Sequence, residues 1–401
     1  MKIKFFSSID YILLLCVLFL ITIGIAFIYS SGINSEGVLV SNEYIKQIIW
    51  FCIGFSVMTI MALLDYRRLE RYSHYFFIFM VAILVYTRFF GRYVNGARSW
   101  LGIGDLGIQP SELMKIAFIL CLARFLDKSS AEKPMKRFVL AICIMMVPMG
   151  LILLQPVLGT ASVFLPIFLF MCFMADVPVR YLMIVFLTGM LTIIFAVLPI
   201  WETEILRKSV PVFHVLSNMK LRILVIFSCA IAGSWACGKV LKPYQIARLI
   251  VFIDPNSDPR GAGWNIIQSK TAIGAGTLFG RGFMQGSQSH LRFLPQQSTD
   301  FIFSIFSEEM GFAGGIVLFC AFFAILLRIT YIIRQTNNSY SCYIASGILG
   351  MFFFHFIVNV GMVMGIMPIT GIPLPFLSYG GFAFLSNMLA IGLLMSINRR
   401  R

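Results

Sequence analysis

The sequence contains little charge. Only 12% of its 401 residues are charged and 59% are hydrophobic, whereas about a quarter of an average soluble domain is charged. So few polar side chains cannot cover the surface of a water-soluble fold, which excludes a soluble enzyme and a disordered chain. The apolar residues come in continuous runs rather than in alternation, which favours helices over a barrel. The composition therefore predicts an all-α, polytopic transmembrane helical bundle.

Several motifs are also missing. There is no C-x-x-C pair, and the nine cysteines lie in or at the edge of apolar segments, so we interpret them as small buried hydrophobic side chains rather than disulfides or zinc ligands. The absence of G-x-x-x-x-G-K-[ST] and H-E-x-x-H argues against ATP-driven transport and zinc hydrolysis. Acidic residues are scarce, which leaves a formal net charge of +15. In a soluble protein this charge would suggest nucleic-acid binding, but in a membrane protein basic residues first indicate which loops lie in the cytoplasm.

Apolar runs predict the membrane spans, since a helix needs about 20 residues to cross the hydrocarbon. We interpret the first run as a retained span and not a signal peptide, because no small-residue cleavage site follows it. The candidate spans are 11–31, 44–64, 72–90, 112–126, 138–157, 160–176, 179–200, 222–240, 309–333, 341–367 and 381–398.

Basic residues predict the orientation, because short basic loops stay in the cytoplasm. They precede the first span, follow the second and fourth, and end the chain. We therefore expect a multi-pass protein of the cytoplasmic (inner) membrane with both termini inside, and with residues 91–111, 241–300 and 368–380 outside. Two inside termini require an even number of crossings, whereas eleven segments are apolar. Either segment 222–240 is re-entrant or interfacial, or another candidate fails to cross.

The predicted outward loop 241–300 is basic and rich in glycine. It holds six Lys and Arg against three Asp, which runs against the orientation rule and indicates either an anionic ligand or contact with lipid phosphates. Its glycines permit tight turns in which backbone N–H groups could cradle phosphate.

Asp300 ends this loop, where an apolar helix is expected to begin. In one interpretation Ser298 or Thr299 caps the helix and Asp300 complements its dipole. In the other, Asp300 is a general base at the membrane boundary that meets a membrane-anchored substrate. The residues themselves leave both open.

Other ionisable groups lie inside apolar segments. Glu112 and Lys115 share one helix face, as a structural ion pair or as ligand contacts. For Glu308 and Glu309 we expect pairing with a basic residue rather than catalysis. We interpret small-residue spacings such as that of Gly311 and Gly315 as helix-packing faces.

Six blocks of sequence resemble a known family. They are residues 95–100 (NGARSW), 109–115 (QPSELMK), 155–160 (QPVLGT), 258–270 (DPRGAGWNIIQSK), 293–301 (FLP running into TDF) and 373–381 (PLPFLSYGG). In this order they resemble the SEDS family (RodA, FtsW and SpoVE), and most closely its RodA branch. The resemblance spans nearly the whole chain and implies the SEDS fold of about ten core spans, with one membrane domain over residues 1–401 and an insertion at 201–240.

The resemblance implies a peptidoglycan glycosyltransferase that polymerises lipid II at the outer face of the cytoplasmic membrane during cell elongation. The family's catalytic carboxylate falls on Asp300, which would activate a sugar 4-hydroxyl for attack on the anomeric carbon of a second lipid II. Undecaprenyl diphosphate would leave, its charge neutralised by the basic loop. We expect substrate contacts from Arg98, Trp100, Gln109, Ser111, Glu112, Lys115, Gln155, Arg260, Lys270, Gln288, His290 and Ser378.

The family also implies partners. A class B penicillin-binding protein would crosslink the glycan, and elongation proteins such as MreC and MreD would join it, with membrane lipid but no nucleic acid as further contacts. No tightly bound cofactor is expected, although a divalent cation, Mg²⁺ or Mn²⁺, could help to neutralise the diphosphate.

The chain departs from the family pattern at four positions. Val157 stands where Asp is common, Gln296 and Ser298 where Glu and His are, and Phe382 where Ser is usual. These departures weaken any proposal of a second acid or base near Asp300. Two other classes of function remain as alternatives: a flippase or secondary transporter for lipid-linked precursors, and a non-catalytic scaffold.

Overall fold

The computed structural model describes most of the chain in two compact units, residues 1–175 with 268–401, and residues 176–267. The predicted insertion 201–240, with its candidate span, and Arg260 lie outside the described residues, so the total number of spans stays a prediction. The described residues are 10–94, 97–102, 107–189, 248, 251–252, 254–255, 258, 261–291, 293–294 and 296–400.

Helices dominate the described residues, with one short hairpin. Strands β1 (Arg92–Val94) and β2 (Ala97–Trp100) pair antiparallel between the third and fourth helices. The helices are α1 Tyr11–Ser31, α2 Glu43–Leu63, α3 Tyr66–Phe90, α4 Pro110–Lys128, α5 Pro134–Leu154, α6 Leu158–Met174, α7 Val179–Gly189, α8 Ala262–Ala275, α9 Ser287–His290, α10 Ile302–Gln335, α11 Ser339–Val363 and α12 Gly381–Arg399.

Seven of these helices are long and apolar enough to cross a membrane: α1, α2, α3, α5, α10, α11 and α12. This confirms the predicted all-α, multi-pass fold. Most boundaries follow the apolar runs, but α3 begins six residues before the predicted 72. Its N-cap is Asp65, whose side chain accepts a hydrogen bond from the Arg67 amide at 3.0 Å, so the helix starts inside the basic cluster.

Helix α4 lies inside the bundle although it is too polar to count among the seven. It begins with Pro110, a residue suited to the first helical position, and it packs against α3, α5 and α11. Thirteen of its 19 residues are buried, including Glu112 and Lys115. Lys115 bonds to Glu112 and lies against His355 inside the bundle, so its charge is met by protein groups and not by water.

Helix α10 folds back on itself at Gly311. This residue has φ 66° and ψ −164° inside an otherwise helical segment. The rings of Phe303 and Phe319 stack with centroids 5.7 Å apart, whereas sixteen residues of straight helix would separate them by about 24 Å. The predicted span 309–333 is therefore wrong at its start. Residues 302–310 form an arm that folds back, and residues 312–335 form a helix long enough to cross a membrane.

The glycine-rich turn after α8 closes this bend. The amides of Phe312 and Ala313 donate to the carbonyls of Thr277 and Leu278, at 3.0 and 2.9 Å, and the carbonyls of Glu308 and Glu309 accept from the amides of residues 281 and 282, each at 3.0 Å. A side chain at residue 276 or 280 would overlap the facing backbone. These glycines allow two backbones to approach, which is a role other than the predicted phosphate cradle.

Substituting Gly311 by Ala tests this bend. A Cβ there would overlap the Gly280 amide and force an alanine to a positive φ, at a cost of at least about 1–3 kcal/mol. We expect a lower melting temperature in detergent. Gly315→Ala is the matched control, since no atom lies within 4 Å of its added Cβ. Equal melting temperatures for the two variants would contradict the bend. The bend also corrects the interpretation of Gly311 as a packing residue.

Candidate active site

Asp300 ends a turn over residues 296–300 that is held from three sides. The Asn359 amide donates to the Asp300 carbonyl at 3.0 Å, and the backbone amide of Tyr379 donates to the Ser298 carbonyl at 2.9 Å. The Gln297 amide donates to the Ser31 carbonyl at the end of α1, at 2.6 Å. The backbone that carries this half-buried carboxylate is thus fixed by α1, by α11 and by the connection before α12.

The helix-cap interpretation of this turn is wrong. The N-cap of α10 is Phe301, and it makes no capping side-chain bond. The Thr299 hydroxyl bonds back to the Gln296 carbonyl at 3.2 Å instead. Asp300 therefore lies ahead of the helix, and capping by Ser298 or Thr299 does not explain the turn.

A polar pocket lies beside this turn, upstream of Asp300. Its volume is about 290 Å³, at the lower end of the range for small-molecule sites. Hydroxyl, amide and carboxylate groups suit a hydroxyl-rich ligand such as a sugar. The lining residues are Ser31, Ser41, Glu43, Leu294, Gln296, Gln297 and Ser298.

Two buried side chains of α11, one turn apart, bind the connection between α11 and α12, residues 364–380. Asn359 donates a second hydrogen bond to the Ile372 carbonyl at 2.8 Å, and His355 Nδ1 lies 3.2 Å from the Pro373 carbonyl. Sequence reasoning assigned neither a role. The signal that could have found them is the H-x-x-x-N spacing, which puts both on one helix face.

Glu112 and Lys115 form a buried ion pair, with Nζ and Oε2 2.7 Å apart. This geometry agrees with the structural alternative. Lys115 Nζ also lies 3.2 Å from His355 Nε2. Because an ammonium group only donates, Nε2 accepts and Nδ1 carries the proton that is donated to the Pro373 carbonyl. A charged group of α4 thereby sets the tautomer of a histidine that holds the connection.

Three more of the predicted substrate contacts are buried within the bundle. Ser378 accepts from the Leu374 amide at 2.8 Å and closes the turn before Tyr379. Gln155 donates to the Leu84 carbonyl at 2.9 Å. Ser111 is buried in the first turn of α4. Of these, Ser378 lies in the connection that bonds to the Asp300 turn.

The remaining described candidates are more accessible. Arg98 is exposed on β2 and donates to the Phe89 carbonyl at 3.5 Å, while Trp100 lies against Gly107. Gln109 is half-buried ahead of α4, and Lys270 is exposed on α8. Gln288 and His290 are half-buried on α9.

Glu308 and Glu309 do not pair with a basic residue as expected. Glu308 accepts hydrogen bonds from the Ser287 hydroxyl at 3.1 Å and from the backbone N–H of Gln288 at 3.0 Å. Glu309 accepts from the Ser30 hydroxyl and from the Met284 amide. No ion pair involves either residue within the part of the chain that the structure describes. Hydroxyl and backbone donors replace the expected cation.

The described residues do not form a metal centre. No group of three or more His, Cys, Asp or Glu side chains among them could hold a metal ion. The divalent cation, Mg²⁺ or Mn²⁺, stays a prediction.

Comparison with known proteins identifies the relatives of this chain. The cell cycle protein family FtsW/RodA/SpoVE matches residues 10–208 and 202–401. Peptidoglycan glycosyltransferase RodA of Treponema pallidum is 49% identical over the full length of both chains. Peptidoglycan glycosyltransferase MrdB of Escherichia coli is 33% identical, over 98% of this chain and 94% of its own.

Solved structures agree with the fold. A chain from a study of how a peptidoglycan synthase complex coordinates polymerization and crosslinking superposes with a TM-score of 0.74 at 25% identity, over 98% of both chains. Rod shape determining protein RodA of Thermus thermophilus gives a TM-score of 0.66 at 23% identity, over 98% of this chain and 97% of its own. With matches over its whole length, this chain belongs to the FtsW/RodA/SpoVE family of multi-pass membrane proteins.

Proposed function

We propose that the chain is a peptidoglycan glycosyltransferase that polymerises lipid II, with Asp300 as its general base. The observation that carries this assignment is the half-buried Asp300 carboxylate on a turn fixed by Asn359 and Tyr379, with a polar pocket beside the same turn. Proton abstraction from a sugar hydroxyl requires a carboxylate on a fixed backbone near space for the sugar. The turn over residues 296–300 carries Asp300 and also lines such a pocket through Gln296, Gln297 and Ser298.

In the proposed step Asp300 takes the proton of the acceptor sugar's 4-hydroxyl. The oxygen forms a bond to the anomeric carbon of the donor lipid II, while the bond between that carbon and the diphosphate oxygen breaks. Undecaprenyl diphosphate leaves with the bonding electron pair, and Asp300 later returns its proton to water. Atoms and charge balance without any redox partner.

The leaving diphosphate needs positive charge, because negative charge develops on its bridging oxygen. Of the predicted contacts, the exposed Lys270 is the described cation on α8, and Arg260 belongs to the same sequence block. Mg²⁺ or Mn²⁺ arriving with the diphosphate would supply Lewis-acid neutralisation.

We also propose that both termini are cytoplasmic. Arg328 on α10 forms an ion pair with Asp10 at the start of α1, at 2.7 Å. Arg400 after α12 lies 3.7 Å from Asp65 after α2. Because α1 and α2 are successive antiparallel spans, these contacts support the placement of the first and last helix ends on one face, among the basic clusters.

Assembly with a class B penicillin-binding protein, and with MreC and MreD, is part of the proposal. Polymerised glycan must be crosslinked by a separate transpeptidase, since the proposed step forms glycosidic bonds only. The similarity to a chain from a peptidoglycan synthase complex supports this partner class.

Reconstitution tests the function. The chain and its penicillin-binding partner, in proteoliposomes with fluorescent lipid II and a β-lactam to block crosslinking, should produce long glycan strands on a gel. The partner alone is the control and should produce none. Translocation of lipid II across the bilayer by the chain without any polymer would contradict the proposal and favour a flippase.

A further inference from the structure

The turn after α8 exposes large apolar side chains. Phe279 exposes 82% of its surface, more than any other large hydrophobic residue in the described ranges, and Leu278 exposes 63%. Both lie in the segment that the sequence assigns to an outward, water-facing loop. Such a projection in water would be unfavourable, because apolar surface is stabilised by leaving water.

This turn is held firmly. The carbonyls of Thr277 and Leu278 bond to the first two amides of the α10 span, and Gly280 has φ 79°, which brings the chain back toward α10. Leu278 and Phe279 therefore sit at the Gly311 end of the span in a defined position.

The length of the α10 span indicates how deep its Gly311 end lies in the membrane. Residues 312–335 extend about 36 Å as a helix, slightly more than the roughly 30 Å of hydrocarbon. Arg334 lies near the far end, so Phe312 lies near the opposite boundary of the membrane. Phe312 and Ile316, one turn apart, are 64% and 49% exposed, and in a membrane-spanning helix such apolar side chains would face lipid. The exposed side chains of Leu278 and Phe279 thus continue a lipid-facing surface.

A positively charged side chain, Arg281, follows the exposed Leu278 and Phe279 in the same turn. Arg281 is exposed, and its guanidinium donates to the Ser287 hydroxyl at 2.7 Å and to the Ala275 carbonyl at 3.4 Å. A guanidinium has five N–H donors, so several remain to bind an anion. The same Ser287 hydroxyl donates to Glu308 of the arm 302–310. The charge is therefore positioned, two residues from Phe279, at the level where lipid phosphates begin.

We infer that residues 277–283 form a membrane-inserted wedge, in which Leu278 and Phe279 lie among acyl chains and Arg281 binds a lipid phosphate. The occupant of this surface is the bilayer itself, because the apolar part is continuous with the lipid-facing side of α10 and the charge is complementary to phosphate. This inference stands apart from the catalytic role of Asp300.

Bromine quenching of tryptophan tests the insertion. In proteoliposomes with brominated phosphatidylcholine, Phe279→Trp should add fluorescence that bromines near the headgroup quench more than bromines near the chain end. Phe323→Trp, at a 61% exposed residue of the span, should show the reverse order, with bromines near the chain end quenching more than bromines near the headgroup. Glu36→Trp, in an exposed turn, should respond to acrylamide only. A Phe279→Trp signal that behaves like that of Glu36→Trp would overturn the inference, and so would a signal shielded from both quenchers.

A second arm tests the phosphate contact. In the Phe279→Trp protein, brominated phosphatidylglycerol at a minor mole fraction should quench more than brominated phosphatidylcholine at the same fraction, and Arg281→Gln should abolish this preference. Inorganic phosphate in the buffer should leave the preference unchanged if a lipid headgroup is bound. Loss of the preference on adding phosphate, or its persistence in Arg281→Gln, would overturn the lipid site at Arg281.

Discussion

Replacing Asp300 with asparagine is expected to lower the rate of glycan polymerisation by about 10²- to 10⁴-fold, the contribution typical of a positioned general base. Asparagine keeps the size of the side chain but cannot take a proton. Because the turn is fixed through the Asp300 backbone carbonyl, the substitution should leave the fold intact. The initial rate of lipid II consumption in proteoliposomes measures the effect.

The control for this loss is Glu132→Gln. Glu132 is a carboxylate whose side chain is 46% exposed, in the connection between α4 and α5, so its removal should leave the rate unchanged. A rate for Asp300→Asn within a few-fold of the parent would show that another group takes the proton.

Asn359→Leu should lower the polymerisation rate by a smaller factor, because it displaces Asp300 without removing its carboxylate. Its two hydrogen bonds join the Asp300 carbonyl to that of Ile372, and a displacement of about 1 Å can cost about 10²-fold in rate. We expect kcat to fall while lipid II affinity persists. Asn387→Leu is the matched control, since Asn387 is a buried asparagine of α12. Equal effects in both variants would indicate a loss of packing and not of positioning.

Lys115→Met is expected to destabilise the protein by about 3–5 kcal/mol, because it leaves the buried Glu112 carboxylate without its partner. The loss should appear as a large drop in melting temperature in detergent. The double variant Glu112→Gln with Lys115→Met should recover most of it, since the uncompensated charge is then gone. The Lys115 and Glu112 side chains are 0% and 5% exposed, so water cannot compensate.

An exposed pair provides the comparison. Lys136 and Glu132 also form an ion pair, at 3.0 Å and four residues apart, but their side chains are 60% and 46% exposed. Lys136→Met should cost at most about 0.5 kcal/mol. If Lys115→Met were as mild as Lys136→Met, the network from α4 through His355 to the Pro373 carbonyl would not stabilise the bundle.

Much of the fold could be predicted because membrane helices are marked by length and apolarity alone. The fold-back of α10 could not, because residues on both sides of Gly311 have the same apolar character. Only the positive φ of Gly311 and the bonds from a turn some 30 residues earlier produce it. The same bend explains the wrong expectation for Glu308 and Glu309, whose partners are backbone and hydroxyl groups brought close by folding.

The site could be predicted in part. Motif resemblance led to Asp300, and the i, i+3 spacing led to the Glu112–Lys115 pair. The roles of His355 and Asn359 were not predicted. Their partners are backbone carbonyl groups of the connection before α12, and every residue type has such a carbonyl. The H-x-x-x-N spacing places the two side chains on one face of α11, but it does not identify the backbone carbonyl groups that they bind.

The most direct test measures lipid II binding and lipid II polymerisation in the same preparation, for the parent chain and for Asp300→Asn, each with the penicillin-binding partner present. The account predicts that Asp300→Asn binds lipid II as the parent does and forms almost no glycan. Glycan formation near the parental rate by a folded Asp300→Asn protein would contradict it.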